Sequence, residues 1–444
     1  MKFFTLIILA ILGASSLASP LLAQEPLAEA TKPVLPASHP EEKWGIGFGV
    51  RVASNPYVAG DSVLEDVFPL LYYDSRYLYL DGLEAGFKLR TAKDWRLNLL
   101  ARWRFIDVPE AYNSQIDSDV LDWGFRFHYQ PDQTPIYIEV DLLADESQRL
   151  SSTLKSGLEM VSGRLEWDPY VALRLKDSRF NDYYYGLATD SVGSGTDISL
   201  GIEGRYYLGN DLYLQGSLAL TWLDEAARIS VFVDDGIQQN IIFGLVYRND
   251  RRQRLKSSID AKPYLRLVHG WATPSDTKDI ITFNNRDDDK DNKLLSLFYG
   301  HPLSDELFGL ALKTYLTPGF VWHWQSDVQD SGQEFVLAIK NYYTFDWPSE
   351  WRVGLGTGFS YAAKVSYIEE VEMAQKGYEN IKWLLYLDFS LEMNLGKLFH
   401  LGAMDDIWLG YSLHHRSGIF GASSMFGRIK GGSNYNTISL QYHF

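Results

Sequence analysis

Long stretches of the chain alternate between apolar and polar residues with a period of two. Between Trp95 and Phe105 apolar side chains alternate with arginine and asparagine, and between Leu121 and Tyr129 they alternate with aspartate, glycine, arginine and histidine. The same pattern recurs in the stretches 136–142, 171–176, 212–222 and 381–392. Successive side chains of a strand point to opposite faces, so this period predicts β-strands rather than helices.

The last forty residues carry the pattern to the end of the chain. Ile407, Leu409, Tyr411 and Leu413 share one face of the stretch 405–416, and the final stretch ends on an apolar face that includes Phe444. A terminal strand with one apolar face and one polar face is typical of an outer-membrane barrel, whose apolar face contacts lipid. A soluble sandwich would also alternate, but here the apolar face is long and aromatic in nearly every strand. We therefore predict an all-β, antiparallel transmembrane β-barrel of the outer membrane with roughly 14–18 strands.

The N-terminus predicts export from the cytoplasm. Lys2 precedes an apolar run from Phe3 to Leu12 and then small residues, which is typical of a signal peptide, here residues 1–23. Residues 24–43 are rich in proline, alanine and glutamate, and we expect a flexible periplasmic lead-in. Residues 44–444 would form the barrel, and the polar insertion 274–292 is the place where it would divide.

Composition excludes several functions. The formal net charge is -16 and there is no cysteine. Without cysteine there is no disulfide, thiolate metal site or cysteine nucleophile, and without a basic stripe we expect no nucleic-acid partner. The acidic run Asp287–Asp291 lacks the spacing of an EF-hand, so it reads as a solvated charged loop, and we expect no cofactor or metal.

Three N-terminal segments carry a family resemblance. The stretches Trp44–Gly60, Val67–Asp74 and Tyr79–Gly86 resemble the opening strands of the MipA/OmpV family, although the turn Asn55–Gly60 is one residue longer than the family pattern. The resemblance implies an outer-membrane barrel with a structural or scaffolding role in the envelope. Its expected partners are outer-membrane lipid and lipopolysaccharide, and a periplasmic murein synthase or lytic transglycosylase, since one member of the family scaffolds such enzymes.

A second resemblance raises an enzymatic alternative. The run from His414 to Gly418 is similar to the His-x-Ser pattern of PagL-like lipid A deacylases. His415 and Ser417 would share the lipid-facing side, with Ser417 as nucleophile and His415 as base in a lipid A or phospholipid ester hydrolase. Those enzymes carry a glutamate on the following strand; here no acid follows Ser417, and Glu379 on the preceding strand is the substitute. In the non-enzymatic alternative, His414 and Arg416 contact lipid.

Charged residues occupy the other face of the predicted strands. They are Arg96, Arg102, Arg104, Asp122, Arg126, Glu139, Asp141, Arg164, Glu166, Arg174, Lys176, Glu203 and Arg205. Mixed signs on adjacent strands would pair across the interior and fill it. We expect a mostly blocked interior; a narrow passive channel for small solutes is the alternative.

Overall fold

The computed structural model describes most of the chain after the predicted signal peptide. The described residues are 43–60, 62–105, 107–108, 112, 116, 119–250, 259–275, 279–280, 286, 288–307, 309–347, 349–418 and 431–444. The predicted signal peptide, and the predicted lead-in apart from residue 43, lie outside them. Within the described residues no helix is both long and apolar enough to cross a membrane.

The first part of the chain forms a closed antiparallel barrel of twelve strands. Its elements are β1 (Lys43–Ser54), β2 (Val63–Asp74), β3 (Leu78–Gly82), β4 (Glu84–Thr91), β5 (Trp95–Phe105), β6 (Asp119–Tyr129), β7 (Ile136–Ala144), β8 (Leu150–Leu158), β9 (Met160–Ser162), β10 (Leu165–Lys176), β11 (Gly195–Gly209), β12 (Leu212–Trp222) and β13 (Ile237–Arg248). β8 and β9 both pair with β10 and act as one strand. The ring closes because β1 pairs with β2 on one side and β13 on the other.

The second part forms a separate closed barrel of eight strands. Its elements are β14 (Tyr264–Ala272), β15 (Lys293–Ser304), β16 (Leu312–His323), β17 (Gly332–Phe345), β18 (Trp351–Ala362), β19 (Trp383–Asn394), β20 (Ile407–Ser417) and β21 (Gly432–His443). β14 pairs with β21 and thereby closes this ring.

These sheets confirm the predicted fold class and correct two details. The division between barrels falls between Arg248 and Tyr264, whereas the insertion 274–292 connects β14 to β15 inside the second barrel. The described residues form twenty strands, with β8 and β9 counted as one, rather than the roughly 14–18 predicted. The expectation assumed long connections, but several are tight, such as the turn at Asn210 and Asp211, which positive φ angles close in two residues.

In the part of the chain that the structure describes, four short helices lie in the connections. They are α1 (Ser178–Tyr184), α2 (Glu225–Arg228), α3 (Tyr367–Lys376) and α4 (Leu395–Phe399), and a 3₁₀ turn follows at Gly402–Met404. Asp177 and Asp224 begin α1 and α2, because their side chains accept hydrogen bonds from otherwise unpaired backbone N–H groups of the first turn.

Connection lengths orient both barrels in the membrane. The connections 75–77, 92–94 and 163–164 at one end are short, whereas 177–194 and 363–382 at the other end are long. Outer-membrane barrels have short periplasmic turns and longer extracellular loops. The helices α1, α2 and α3 are therefore extracellular, and α4 and Phe444 lie at the periplasmic end.

The two barrels pack wall to wall through side chains that point outward. Phe48, Val50 and Val67 of the first barrel join one apolar cluster with Phe359 and Leu385 of the second. Phe359 and Leu385 have outward parity yet are only 8% and 6% exposed. Lipid is as apolar as these side chains, so close van der Waals packing holds such a contact together.

Candidate functional site

The predicted catalytic residues are only partly brought together. His415 and Ser417 point outward from β20, as predicted, and both are partly exposed. The His415 Nδ1 lies 2.5 Å from the Asn434 Oδ1. Glu379 is exposed in the connection before β19, and the residue of β19 opposite Ser417 is Leu385. The prediction that Glu379 lies on the preceding strand is therefore wrong, and these residues contain no acid that orients His415.

His414 and Arg416 face the interior, so the prediction that they contact lipid is wrong. Their side chains are 2% and 1% exposed. Because side chains alternate along a strand, the residues between Leu413, His415 and Ser417 must point inward.

Inside the barrel, His414 and Arg416 lie next to Glu334 of β17. Its fully buried carboxylate accepts hydrogen bonds from Ser360 at 2.6 Å and from the Nε2 atoms of His323 at 2.9 Å and His414 at 3.2 Å. The Arg416 guanidinium lies 3.9 Å away. A buried carboxylate with this many donors is stabilised in its charged form, and it ties β16, β17, β18 and β20 together below the extracellular surface.

Helix α3 covers this cluster from the extracellular side. The Glu369 carboxylate accepts a hydrogen bond from Ser433 at 3.1 Å and lies 3.5 Å from the Arg416 Nε. Burial raises the pKa of Glu369, and the opposing effect of Arg416 is smaller. Met373 of α3 is buried in the cluster between the two barrels.

A second charged cluster fills the periplasmic half of the second barrel. Asp388 binds Arg266 and also the Lys340 ammonium, at 2.7 Å. Glu392 accepts two hydrogen bonds from Arg352, at 2.5 and 2.8 Å. The charged residues predicted to point inward lie in the first half of the chain. The same alternation in β17, β18 and β19 places Lys340, Arg352, Asp388 and Glu392 inside the second barrel.

Charges of opposite sign balance inside the second barrel. Among the described residues, the fully buried charged side chains there are Arg266, Lys340, Arg352, Arg416, Glu334, Glu369, Asp388 and Glu392. Apolar, aromatic and uncharged polar residues and histidines occupy the remaining interior, and Tyr264, Tyr315 and Tyr342 pack together toward the periplasmic end. The interior is therefore a packed core rather than a water-filled pore.

The predicted inward charges of the first barrel pair as expected for a filled interior. Arg126 donates to Glu84 and Asp141, and Arg102 contacts the same two carboxylates. Arg104 likewise pairs with Asp122, and Arg205 pairs with Glu166. The predicted Arg96 and Arg164 are exposed instead.

An apolar plug closes the extracellular end of the first barrel. Its buried members are Tyr57, Val108, Ile116, Val120, Phe180, Tyr184, Tyr185, Leu187, Leu223, Ala227 and Val233. The Tyr57 hydroxyl donates to the carbonyl of Tyr184 at 2.9 Å, which joins the loop after β1 to α1. The sequence did not predict the plug, because most of its residues come from connections that show no periodic pattern.

Buried carboxylates anchor the plug to the barrel wall. Asp224 at the start of α2 contacts the Lys176 ammonium at 2.6 Å and accepts a hydrogen bond from Asn181. Burial raises the pKa of Asp224, but the Lys176 charge and hydrogen bonds outweigh it, so the pKa lies below its usual range. These contacts connect α2 with α1 and the end of β10.

The family model and the curated relatives match about half of the chain. Residues 46–249 match the model of the family described as MltA-interacting protein MipA. Two relatives, each described as putative outer membrane protein YiaT and from Escherichia coli O157:H7 and strain K12, are 23% identical over 230 residues, which is 48% of this chain and 93% of each relative.

Comparisons with solved structures cover more of the chain but at low similarity. OccAB3 of Acinetobacter baumannii is 12% identical with a TM-score of 0.21 and covers 91% of this chain and 99% of its own. OmpT of Vibrio cholerae is 8% identical with a TM-score of 0.21 and covers 92% and 99%. Scores this low carry no argument about shared topology. The matched family segment coincides with the twelve-stranded barrel, so this barrel is similar to the MipA family, as its N-terminal motifs predicted, and the protein is an outer-membrane β-barrel protein.

Proposed function

We propose that the protein is a non-conducting scaffold of the outer membrane that holds a murein-remodelling enzyme, such as a lytic transglycosylase or murein synthase, at its periplasmic end. The observation that carries the proposal is the closure of both interiors. In the described part of the chain, the first barrel is sealed by the apolar plug and the second is packed with paired charges. A molecule with two closed interiors is poorly suited to transport, and we expect it to act through contacts on its surface.

The family description supports the choice of partner. The matched family is named for interaction with MltA, and we propose that this chain binds an enzyme of the same murein-cleaving class. The periplasmic end of the second barrel adds a surface that fits a protein partner: Leu310, Trp347, Phe399 and Leu401 are exposed on successive periplasmic connections, Trp347 to 82%. Exposed apolar patches of this kind mark interaction sites.

Cross-linked co-purification tests the scaffold role. Tagged full-length protein is cross-linked in cells, purified and examined by mass spectrometry for periplasmic murein enzymes. We expect one to be enriched with the native chain and lost from the double variant Trp347→Ser with Phe399→Ser. The matched control is Trp383→Ser, which changes an equally apolar exposed residue at the extracellular end of β19. Failure to enrich any murein enzyme with the native chain would contradict the partner.

Planar-bilayer recording tests the closure itself. We expect no conductance steps from reconstituted native protein. Deletion of residues 179–190 removes most of α1 from the plug and should produce conductance steps. This variant is the positive control, because it tests whether the recording can detect an opened first barrel. Regular steps from the native protein would overturn the non-conducting role.

A further inference from the structure

A recess opens on the outer wall of the first barrel, just below its extracellular rim. It has a volume of about 480 Å³ and lies between the ends of β11, β12 and β13 and helix α2. Because α2 lies at the extracellular end, the recess faces the level where acyl chains of the outer leaflet meet their head groups.

The floor of the recess is apolar and the rim is polar. Ile198, Trp222 and Ile237 are direct cross-strand neighbours on the outward face and are 47%, 38% and 40% exposed. Above them lie Arg228 and Glu225 of α2. Tryptophan at this level is typical of the aromatic girdle, where one side of a site is apolar and the other wet.

Arg228 lies at this rim and has no ionic partner among the described residues. Its side chain is exposed and makes no hydrogen bond or ion pair with any residue that the structure describes. Gly236 lets it lie there, since a Cβ on Gly236 would come within 2.5 Å of the Arg228 Cδ. Most other arginines near this end are paired, for example Arg104 with Asp122 and Arg149 with Asp145. The guanidinium is therefore free to take an external anion.

The same loop carries two further apolar side chains toward the surroundings. Ile229 and Val231 follow Arg228 and are 76% and 74% exposed. Large apolar side chains in an extracellular loop are unfavourable in water, and contact with the interfacial region of a lipid layer removes that cost.

We propose that this recess binds the lipid A part of one lipopolysaccharide molecule. An acyl chain lies on Ile198, Trp222 and Ile237, and a phosphate receives hydrogen bonds from Arg228. The guanidinium fork matches phosphate oxygens. The Glu225 carboxylate accepts hydrogen bonds from sugar hydroxyl or amide groups, which a glycerophospholipid offers in smaller number. This proposal does not depend on the scaffold role.

Lipid titration of the purified full-length protein by native mass spectrometry tests the site. The probes are bisphosphorylated lipid A, the same lipid A without phosphates, and phosphatidylglycerol. We expect the native chain to prefer bisphosphorylated lipid A over both other probes. Loss of a charge-assisted hydrogen bond should make Arg228→Gln bind it about tenfold more weakly, and Trp222→Ala should also weaken it.

The control is Arg179→Gln, which alters another exposed extracellular arginine, 63% exposed and outside the recess. It should leave binding unchanged, and an unchanged heat-modifiable gel shift confirms that every variant is folded. Equal binding by native and Arg228→Gln protein would overturn the proposal. So would equal affinity for phosphatidylglycerol and lipid A, since that result indicates general lipid contact rather than a built site.

Discussion

The Arg352–Glu392 pair offers a direct test of whether the second barrel is a dry, packed interior. Arg352 donates to one Glu392 oxygen from Nε and Nη2, and its guanidinium stacks on Tyr342 and Trp408 at 4.1 and 4.0 Å. Both members of the pair are almost fully buried. Removing one partner of a buried pair leaves an uncompensated charge, which costs about 3–5 kcal/mol.

The free energies of unfolding should therefore follow a thermodynamic cycle. Glu392→Gln and Arg352→Met should each lower the stability of the second barrel by about 3–5 kcal/mol. The double variant removes both charges, so it should lose less than the sum of the single losses, with a coupling of about 2 kcal/mol or more. The double variant also lacks the stacking contacts of Arg352 with Tyr342 and Trp408, so its stability should remain below that of the native protein.

Urea titration in lipid vesicles measures these losses. The chain has no cysteine, so a single Trp347→Cys substitution at an exposed periplasmic position carries a fluorophore that reports on the second barrel. Asp330→Asn is the control: it breaks the exposed Asp330–Lys364 pair and should leave the midpoint unchanged. Single variants that lose less than about 0.5 kcal/mol would refute the reasoning, because that is the effect of a hydrated surface site.

Three further outcomes follow from the structure. Asp224 has a lowered pKa in the folded protein, so its ionised form stabilises the plug at pH values above its unfolded pKa near 3.8, and this stability is lost as the pH falls through the folded value. Hydrogen exchange of residues 223–236, corrected for intrinsic rates, should therefore become faster at acid pH, and Asp224→Asn should abolish that change. A membrane-soluble maleimide should label Leu355→Cys quickly and Phe359→Cys slowly, because only Phe359 is covered by the first barrel; equal rates would contradict the wall-to-wall contact. Ser417→Ala should leave the acylation of lipid A in cells unchanged by mass spectrometry, and restored acyl chains would revive the hydrolase alternative.

The strand pattern predicted the fold class because burial in a barrel alternates residue by residue. The faces of β6 show this directly: Trp123 and Phe125 are exposed outward, and Asp122 is buried inward. The number of barrels could not be predicted, because alternation is the same in one ring of twenty strands as in two. Ring closure depends on which distant strands pair, such as β14 with β21.

The site was predicted less well than the fold. Parity placed His415 and Ser417 outward, and the same parity applied strictly would have placed His414 and Arg416 inside. Their partner Glu334 lies across the barrel on β17, and parity cannot predict such a contact. The prediction for Glu379 was wrong for a different reason. Glu379 lies between α3 and the start of β19 at Trp383, outside any strand, so the alternation of β19 cannot assign it to a face. The plug and the lipid recess depend on long connections and on cross-strand neighbours, and neither leaves a periodic signal.

Disulfide formation between the closing strands tests the two-barrel arrangement most directly. The cysteine-free chain receives one pair at a time: Val50→Cys with Phe243→Cys for β1 and β13, and Leu267→Cys with Leu440→Cys for β14 and β21, which are register partners. If the chain forms two closed barrels, both pairs should form a disulfide readily in the outer membrane. The pair Val50→Cys with Leu440→Cys should form none. A single large ring would reverse this result, with β1 cross-linked to β21 and neither closing pair joined.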